Sequence, residues 1–169
     1  MPHAVFIIDA AKTSKPMALR THFPMNNRDG ALKTHIKDPH KLVFRRGGEA
    51  MKVFECLCLA DGEESPSNLM FDWGYCHRNY HPLPNQEGQG KEGSAEIYDW
   101  ADKPALTHIR LCAIASEKDG PIVGWHIKPD GNGQWYIESP EKKEVLRVRI
   151  VPDGAFLVNN GQETRILTF

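Results

Sequence analysis

Two near-identical turns constrain what this chain can fold into. Ile127-Lys-Pro-Asp-Gly131 and Ile150-Val-Pro-Asp-Gly154 share a Pro-Asp-Gly core and lie about 23 residues apart, within the range of small repeat units. Short apolar runs flank them: Trp135-Tyr-Ile137, Val145-Leu-Arg-Val-Arg-Ile150, Ala155-Phe-Leu-Val158 and Arg165-Ile-Leu-Thr-Phe169. Alternation of apolar and polar residues has the period of a half-buried strand, and Asp-Gly or Asn-Gly marks the turns between strands. Twelve prolines and 14 glycines, with few long helix-forming windows, point the same way. The expected fold class is mainly β.

The bulk properties exclude several function classes. The net charge of −1 over 169 residues gives no electrostatic footprint for nucleic acid or an anionic membrane surface. No apolar run approaches the roughly 18 residues a membrane-spanning helix needs. Residues 1–20 lack the order of a signal peptide, since Asp9 interrupts the short apolar run Ala4–Ile8. Four cysteines, Cys56, Cys58, Cys76 and Cys112, are too few for a disulfide-dense scaffold, and reduced, buried thiols are expected.

In chain order, the expected organisation has three parts. Residues 1–40 read as an extended N-terminal arm. They open on a short strand and then carry Pro16, Pro24 and Pro39 among polar residues, with little sustained period. Residues 41–121 read as a β-rich domain. Lys41–Phe44 and Ala50–Leu59 form a hairpin through Arg45-Arg46-Gly47-Gly48. In its second strand Met51, Val53, Glu55, Leu57 and Leu59 alternate with Lys52, Phe54, Cys56 and Cys58, so burial on both faces is expected. Asn68–Trp73, Glu96–Trp100 and Thr107–Ile114 are further strands. The Pro- and Gly-rich stretch 81–95 is an exposed loop. Residues 122–169 form a C-terminal β-repeat module, in which Ser139–Glu144 is a polar hairpin loop rather than a helical turn, because the period-two pattern after it covers more residues.

Few residues carry recognisable chemistry. Cys76-His77-Arg-Asn-Tyr-His81, with Cys56 and Cys58, offers soft metal ligands, but the spacing departs from two close pairs of ligands. Phe71-Asp72-Trp73 and Tyr98-Asp99-Trp100 repeat an aromatic-Asp-Trp pattern. Asp72 and Asp99 would suit a glycosidase only if their strands are neighbours. Trp73, Trp100, Trp125 and Trp135 are candidate platforms for stacking a carbohydrate ring. No nucleophile elbow and no phosphate-cradling glycine pattern is present. No cofactor, no metal and no catalytic residue is assigned.

Gly124-Trp-His-Ile-Lys-Pro-Asp-Gly-Asn-Gly-Gln-Trp-Tyr-Ile137 resembles the strand, x-Pro-x-Gly-x-Gly, strand repeats of tailed-bacteriophage fibre, spike and head-decoration proteins. Leu146-Arg-Val-Arg-Ile-Val-Pro-Asp-Gly-Ala-Phe-Leu-Val-Asn159 is similar to the same repeats, and 29–59 resembles the start of such a module. The resemblance covers 122–160 best and leaves residues 74–106 unexplained. It implies a β-prism, β-helix-like or sandwich module in which three chains wrap together. It also implies a non-enzymatic virion structural protein, decorating a capsid or forming part of a short fibre, assembled in the host cytoplasm. A carbohydrate-binding β-module, or a small glycoside hydrolase, is the alternative. Short repeats cannot bury both faces of their strands alone. The expected homotrimer interface is therefore Leu146, Val148, Ile150, Phe156 and Val158, with the arm contacting capsid or tail subunits. Neither nucleic acid nor membrane is an expected partner.

Overall fold

A computed structural model of the chain describes residues 3–76, 82–83, 92–118, 125–139 and 141–168. The first half is built from β1 (His3–Met17), β2 (Arg20–Asp29), β3 (Lys33–Asp38), β4 (Lys41–Arg46), β5 (Glu49–Ala60), β6 (Glu63–Glu64), β7 (Asn68–Cys76) and β8 (Pro82–Leu83). Then follow β9 (Glu92–Ala101), β10 (Ala105–Lys118), β11 (His126–Pro129), β12 (Gln134–Glu138), β13 (Glu144–Val151), β14 (Gly154–Asn159) and β15 (Gln162–Thr168). All pairings are antiparallel among the described residues.

The strands form three sheets. The middle sheet runs β1-β10-β5-β4-β3, with β6 added beside the far end of β5. A second sheet runs β2-β9-β7-β8, and the C-terminal sheet is the meander β11-β12-β13-β14-β15. The middle sheet is covered on both faces. Leu42, Phe44, Val53 and Cys112 meet Tyr98 and Trp100 of the second sheet. On the opposite face Ala113, Ala115 and Phe54 meet Ile137, while Ile109 and Leu111 meet Val148, Ile150 and Ala155. Burial on both faces explains why β5 and β10 carry apolar residues at both parities.

The β4–β5 hairpin turns through Gly47 and Gly48, both at positive φ (57° and 83°). Two consecutive positive values match the right-handed twist of the flanking strands. Farther along, β5 departs from strict alternation. Leu111 pairs with Leu57 but Cys112 pairs with Glu55, which makes Cys56 the extra residue of a β-bulge. The bulge reverses the parity of everything after it. Met51 and Val53 face the second sheet, whereas Leu57 and Leu59 pack toward the C-terminal sheet with Phe54 and Cys56. The grouping of Leu57 and Leu59 with Met51 and Val53 is thus corrected by one inserted residue.

The expected N-terminal arm is also corrected. Residues 3–17 form a single strand that pairs with β10 from His3↔Ser116 to Lys12↔Thr107, and residues 20–29 pair with β9. Both β1 and β2 lie at sheet edges, where a proline removes no ladder bond that the sheet depends on. That is how Pro16 and Pro24 are accommodated in strands. The loop expected over 81–95 falls mostly outside the described residues, and Glu92–Ala95 belongs to β9. Among the described residues of the segment expected as a polar loop, Ser139 and Glu141–Glu144, there is no helix: Lys142 N–H donates to the Ser139 carbonyl at 2.9 Å, and Lys142 has φ 59°.

Gly154 fixes the approach of β14 to β15. A Cβ at this position would run into the Leu167 carbonyl oxygen, a backbone atom that cannot swing away. Gly154→Ala is expected to cost about 1–3 kcal/mol through overpacking, measurable as a lowered urea midpoint with an unchanged slope.

Candidate functional site

The bulge at Cys56 gathers a polar cluster between the middle and second sheets. It places Glu55 and Cys58 on the same face as His108 and Arg110 of the neighbouring strand. Arg110 is fully buried. Its Nη1 donates to Thr21 Oγ1 and to the Trp100 carbonyl, each at 2.7 Å, and its Nη2 donates to Ser67 Oγ at 3.1 Å. Glu55 Oε1 lies 3.2 Å from Arg110 Nε but off the line of a hydrogen bond, so this contact is charge attraction alone. Asp102 Oδ2 lies 3.9 Å from Arg110 Nη2, and Asp102 Oδ1 accepts the Leu19 N–H at 2.7 Å.

His108 is saturated. Its Nδ1 meets Asp102 Oδ2 at 2.6 Å, and its Nε2 meets the Met17 and Ala105 carbonyls at 2.6 and 3.1 Å. Both nitrogens face protein acceptors, so neither is open to a metal or a substrate. The thiols are equally unreactive. Burial pushes Cys58 up to about 11. Burial, reinforced by the Glu55 charge, raises Cys56 further, and burial raises Cys112 well above the ordinary thiol value. Protonated, buried thiols are poor nucleophiles and poor ligands. Among the described residues no three His, Cys, Asp or Glu side chains converge to hold a metal. The candidate ligands His77 and His81, and the side chain of Cys76, lie outside the described residues.

One face of this cluster reaches solvent. β4 pairs with β5 as far as Phe54, and β6 begins opposite Leu59. Between them the edge of β5 is spanned by two backbone bonds, Glu55 N–H to the His40 carbonyl and Ser65 N–H to the Cys58 carbonyl, both 2.9 Å. This gap opens a cleft of about 660 Å³, bordered by the Asp38–Lys41 turn, by Glu64-Ser65-Pro66 and by Trp135 and Ile127 of the C-terminal sheet. Glu55 lies at its back, with Oε2 2.7 Å from His40 Nδ1. The order from solvent inward is therefore His40, Glu55, Arg110.

The residues singled out from the sequence divide. Val148 and Ile150 are buried, and Leu146 packs beside them, all against the middle sheet of the same chain. They are not an open face waiting for sister chains, which corrects that part of the expected interface. Phe156 and Val158 have the opposite parity: Arg149 pairs with Phe156 while Val148 pairs with Leu157. They lie on the outer face of the C-terminal sheet. There Arg149 and Arg165 stack over the Phe156 ring at 4.4 and 4.8 Å, and Arg147 stacks over Tyr136 at 5.0 Å. Arg149 binds Glu163 with two 2.6 Å bonds, and Arg147 binds Glu144 and Asp130. Hydrogen bonds from these arginines hold the Glu144 and Glu163 carboxyls below their usual range.

Of the four tryptophans, Trp100 (0% exposed) and Trp125 (2%) are core residues and cannot present a ring to a ligand. Trp100 Nε1 donates to the Pro39 carbonyl at 2.6 Å. Trp135 is half-buried on the cleft, and the side chain of Trp73 lies outside the described residues. The strands of Asp72 and Asp99 are neighbours. Asp99 pairs with Met70 and Asp72 with Ile97, so the two aspartates are diagonal on one face, roughly 7–8 Å apart at that offset. Asp99 Oδ1 is engaged by His22 Nδ1 at 2.6 Å.

Sequence reasoning missed Arg110, His108, Asp102 and the His40–Glu55 pair. The available signal was Thr107–Ile114, where His108 and Arg110 alternate with Ile109 and Leu111. Period-two polarity reads by default as a solvent face, and here that face is covered by a second sheet.

No family model matches the chain, and no curated protein or solved structure matches it.

Proposed function

We propose that this chain is a non-enzymatic virion structural protein, a capsid-decorating or short-fibre component that works as a homotrimer and contacts neighbouring capsid or tail subunits. The reading rests on the Pro-Asp-Gly repeats of the C-terminal sheet and their resemblance to tailed-bacteriophage modules, which also supplies the number three. One structural observation supports it: β15 ends its sheet, and six of its seven residues are exposed. An open edge pairs readily with another chain. Phe156 and Val158 lie on the outer face next to that edge, with Glu163 and Arg165 on β15 itself. These residues, rather than Leu146, Val148 and Ile150, form the proposed contact between copies. The proposed contacts to other virion subunits pass to the edge strands β1 and β3, since the described residues of the expected arm are paired in β1, β2 and β3.

Sedimentation velocity over a range of concentrations tests this reading. A trimer is expected, and Val158→Asp is expected to shift it toward monomer by at least about tenfold in apparent association constant, without lowering the monomer's melting temperature. A single monomeric boundary at every concentration overturns the homotrimer.

A further inference from the structure

Most free edges of the three sheets are guarded. β2 holds Pro24, and β11 ends on Pro129. β8 is two residues long. β3 spans six residues, with Lys33 and Asp38 at its ends and a register break before Asp38. β15 carries Glu163 and Arg165, its register skips Ile166, and it belongs to the proposed contact between copies. Proline, charge, bulges and short length are the devices that keep a sheet edge from pairing with another chain. β1 lacks them over most of its length. It pairs with β10 from His3 to Lys12 without a register break. From Ala4 to Ala11 it holds no proline, and Asp9, the single charge there, is engaged by Thr21 Oγ1 at 2.7 Å.

The direction of the unpaired backbone groups follows from the ladder. Asp61 N–H donates to the Thr107 carbonyl, so Thr107 turns its backbone groups toward β5. By alternation His108, Arg110, Cys112 and Ile114 turn theirs toward β1, where their partners are Ala11, Asp9, Ile7 and Val5. The N–H and C=O groups of Ala4, Phe6, Ile8 and Ala10 therefore point out of the sheet, and no described residue bonds to them. The side chains of Phe6 and Ile8 are half-buried against the C-terminal sheet, and Val5, of the other parity, is 49% exposed. A row of donors and acceptors repeating about every 7 Å is matched along its length by another extended backbone. Beyond this row Lys12 and Lys15 are exposed and have no charged partner among the described residues. They favour an acidic residue at the end of the occupant that lies beside them.

We propose that the free edge of β1 accepts an extended segment of a neighbouring virion subunit, added as a further strand of the middle sheet. The segment runs antiparallel to β1, the slightly more stable pairing, so its acidic N-terminal end lies beside Lys12. This deepens the proposed contact of β1 with other subunits and rests on that reading for the source of the segment. The edge itself is separate from the residues proposed to join sister copies.

The full-length protein is titrated with two acetylated peptide amides, Glu-Glu-Thr-Val-Thr-Val-Thr-Val and its Lys-Lys counterpart, while amide hydrogen exchange is read residue by residue by NMR. In the free protein the Phe6, Ile8 and Ala10 amides are expected to exchange about tenfold or more faster than those of Val5, Ile7 and Asp9. The acidic peptide is expected to remove that difference by slowing the first three. Ala10→Pro deletes an outward N–H without touching the β10 ladder, and is expected to weaken binding about fivefold or more. Matching far-UV circular dichroism and melting curves establish that this variant is folded. The acidic peptide is expected to bind about threefold tighter than the basic one, and Lys12→Glu, at an exposed position, to reverse that order. The proposal is overturned if neither peptide slows the three outward amides, or if Ala10→Pro leaves the affinity unchanged. It is also overturned if those amides are already protected in the free protein in a concentration-dependent way, which would assign the edge to a second copy. A monomer in sedimentation removes the homotrimer and leaves this test standing. A trimer whose β1 amides never slow removes the added strand and leaves the homotrimer.

Discussion

Arg110→Met is expected to lower the unfolding free energy by about 3–5 kcal/mol, the cost of removing one partner from a buried ionic group. The guanidinium does more than neutralise charge. It ties β2 through Thr21, β9 through the Trp100 carbonyl, and the β6–β7 connection through Ser67, all from β10. Glu55 and Asp102 both depend on its charge, and both are buried. Methionine fills much of the same volume, so a cavity contributes little and the loss reports the orphaned carboxylates. That origin is separable. Adding Glu55→Gln to Arg110→Met removes one of the stranded charges, and part of the lost stability is expected to return. Urea unfolding of the single and double variants measures both quantities. A single-variant loss below about 1 kcal/mol would show that the cluster is not desolvated as the burial of Arg110 requires.

The same cluster shows where sequence and structure part. The alternation in Val145–Ile150 and the Pro-Asp-Gly turns specified β13, β14 and their hairpin, because turn chemistry and period-two patterning are local. The two-sided burial of β5 was legible for the same reason, from apolar residues at both parities. The bulge was not, since an extra residue at Cys56 alters no local preference and is defined by a partner strand some fifty positions away. The N-terminal strands were masked by Pro16 and Pro24, whose cost depends on whether a strand is central or at an edge. The cleft follows from the length mismatch between β4 and β5, a property of pairing that a single strand's sequence does not carry. His108 and Arg110 could be seen as polar, but whether that face met water depended on Trp100 and Tyr98 arriving from another sheet.

In the Val158→Asp background, where assembly is weakened, Ile150→Ala is expected to destabilise the chain by about 2–5 kcal/mol, with an unfolding midpoint that does not move with protein concentration. The second half of this expectation decides how the C-terminal sheet is held. Its inner face could be covered in two ways: by sister copies around an axis, or by the front half of the same chain. Coverage by sister copies would make stability inseparable from association, so the midpoint would rise with concentration and the Ile150 truncation would also dissociate the oligomer. In the structure Ile150 is 4% exposed and packs with Ile109 and Leu111 of β10 and Val148 and Ala155 of its own sheet. Those contacts are made before any second chain arrives. A truncation there therefore acts on the fold of each protomer, whereas Val158→Asp on the outer face acts on assembly. Chemical unfolding at two protein concentrations about a hundredfold apart separates the two effects. A midpoint that climbs with concentration in the Val158→Asp background would return Ile150 to an interface between chains and remove the three-layer packing as the source of its burial.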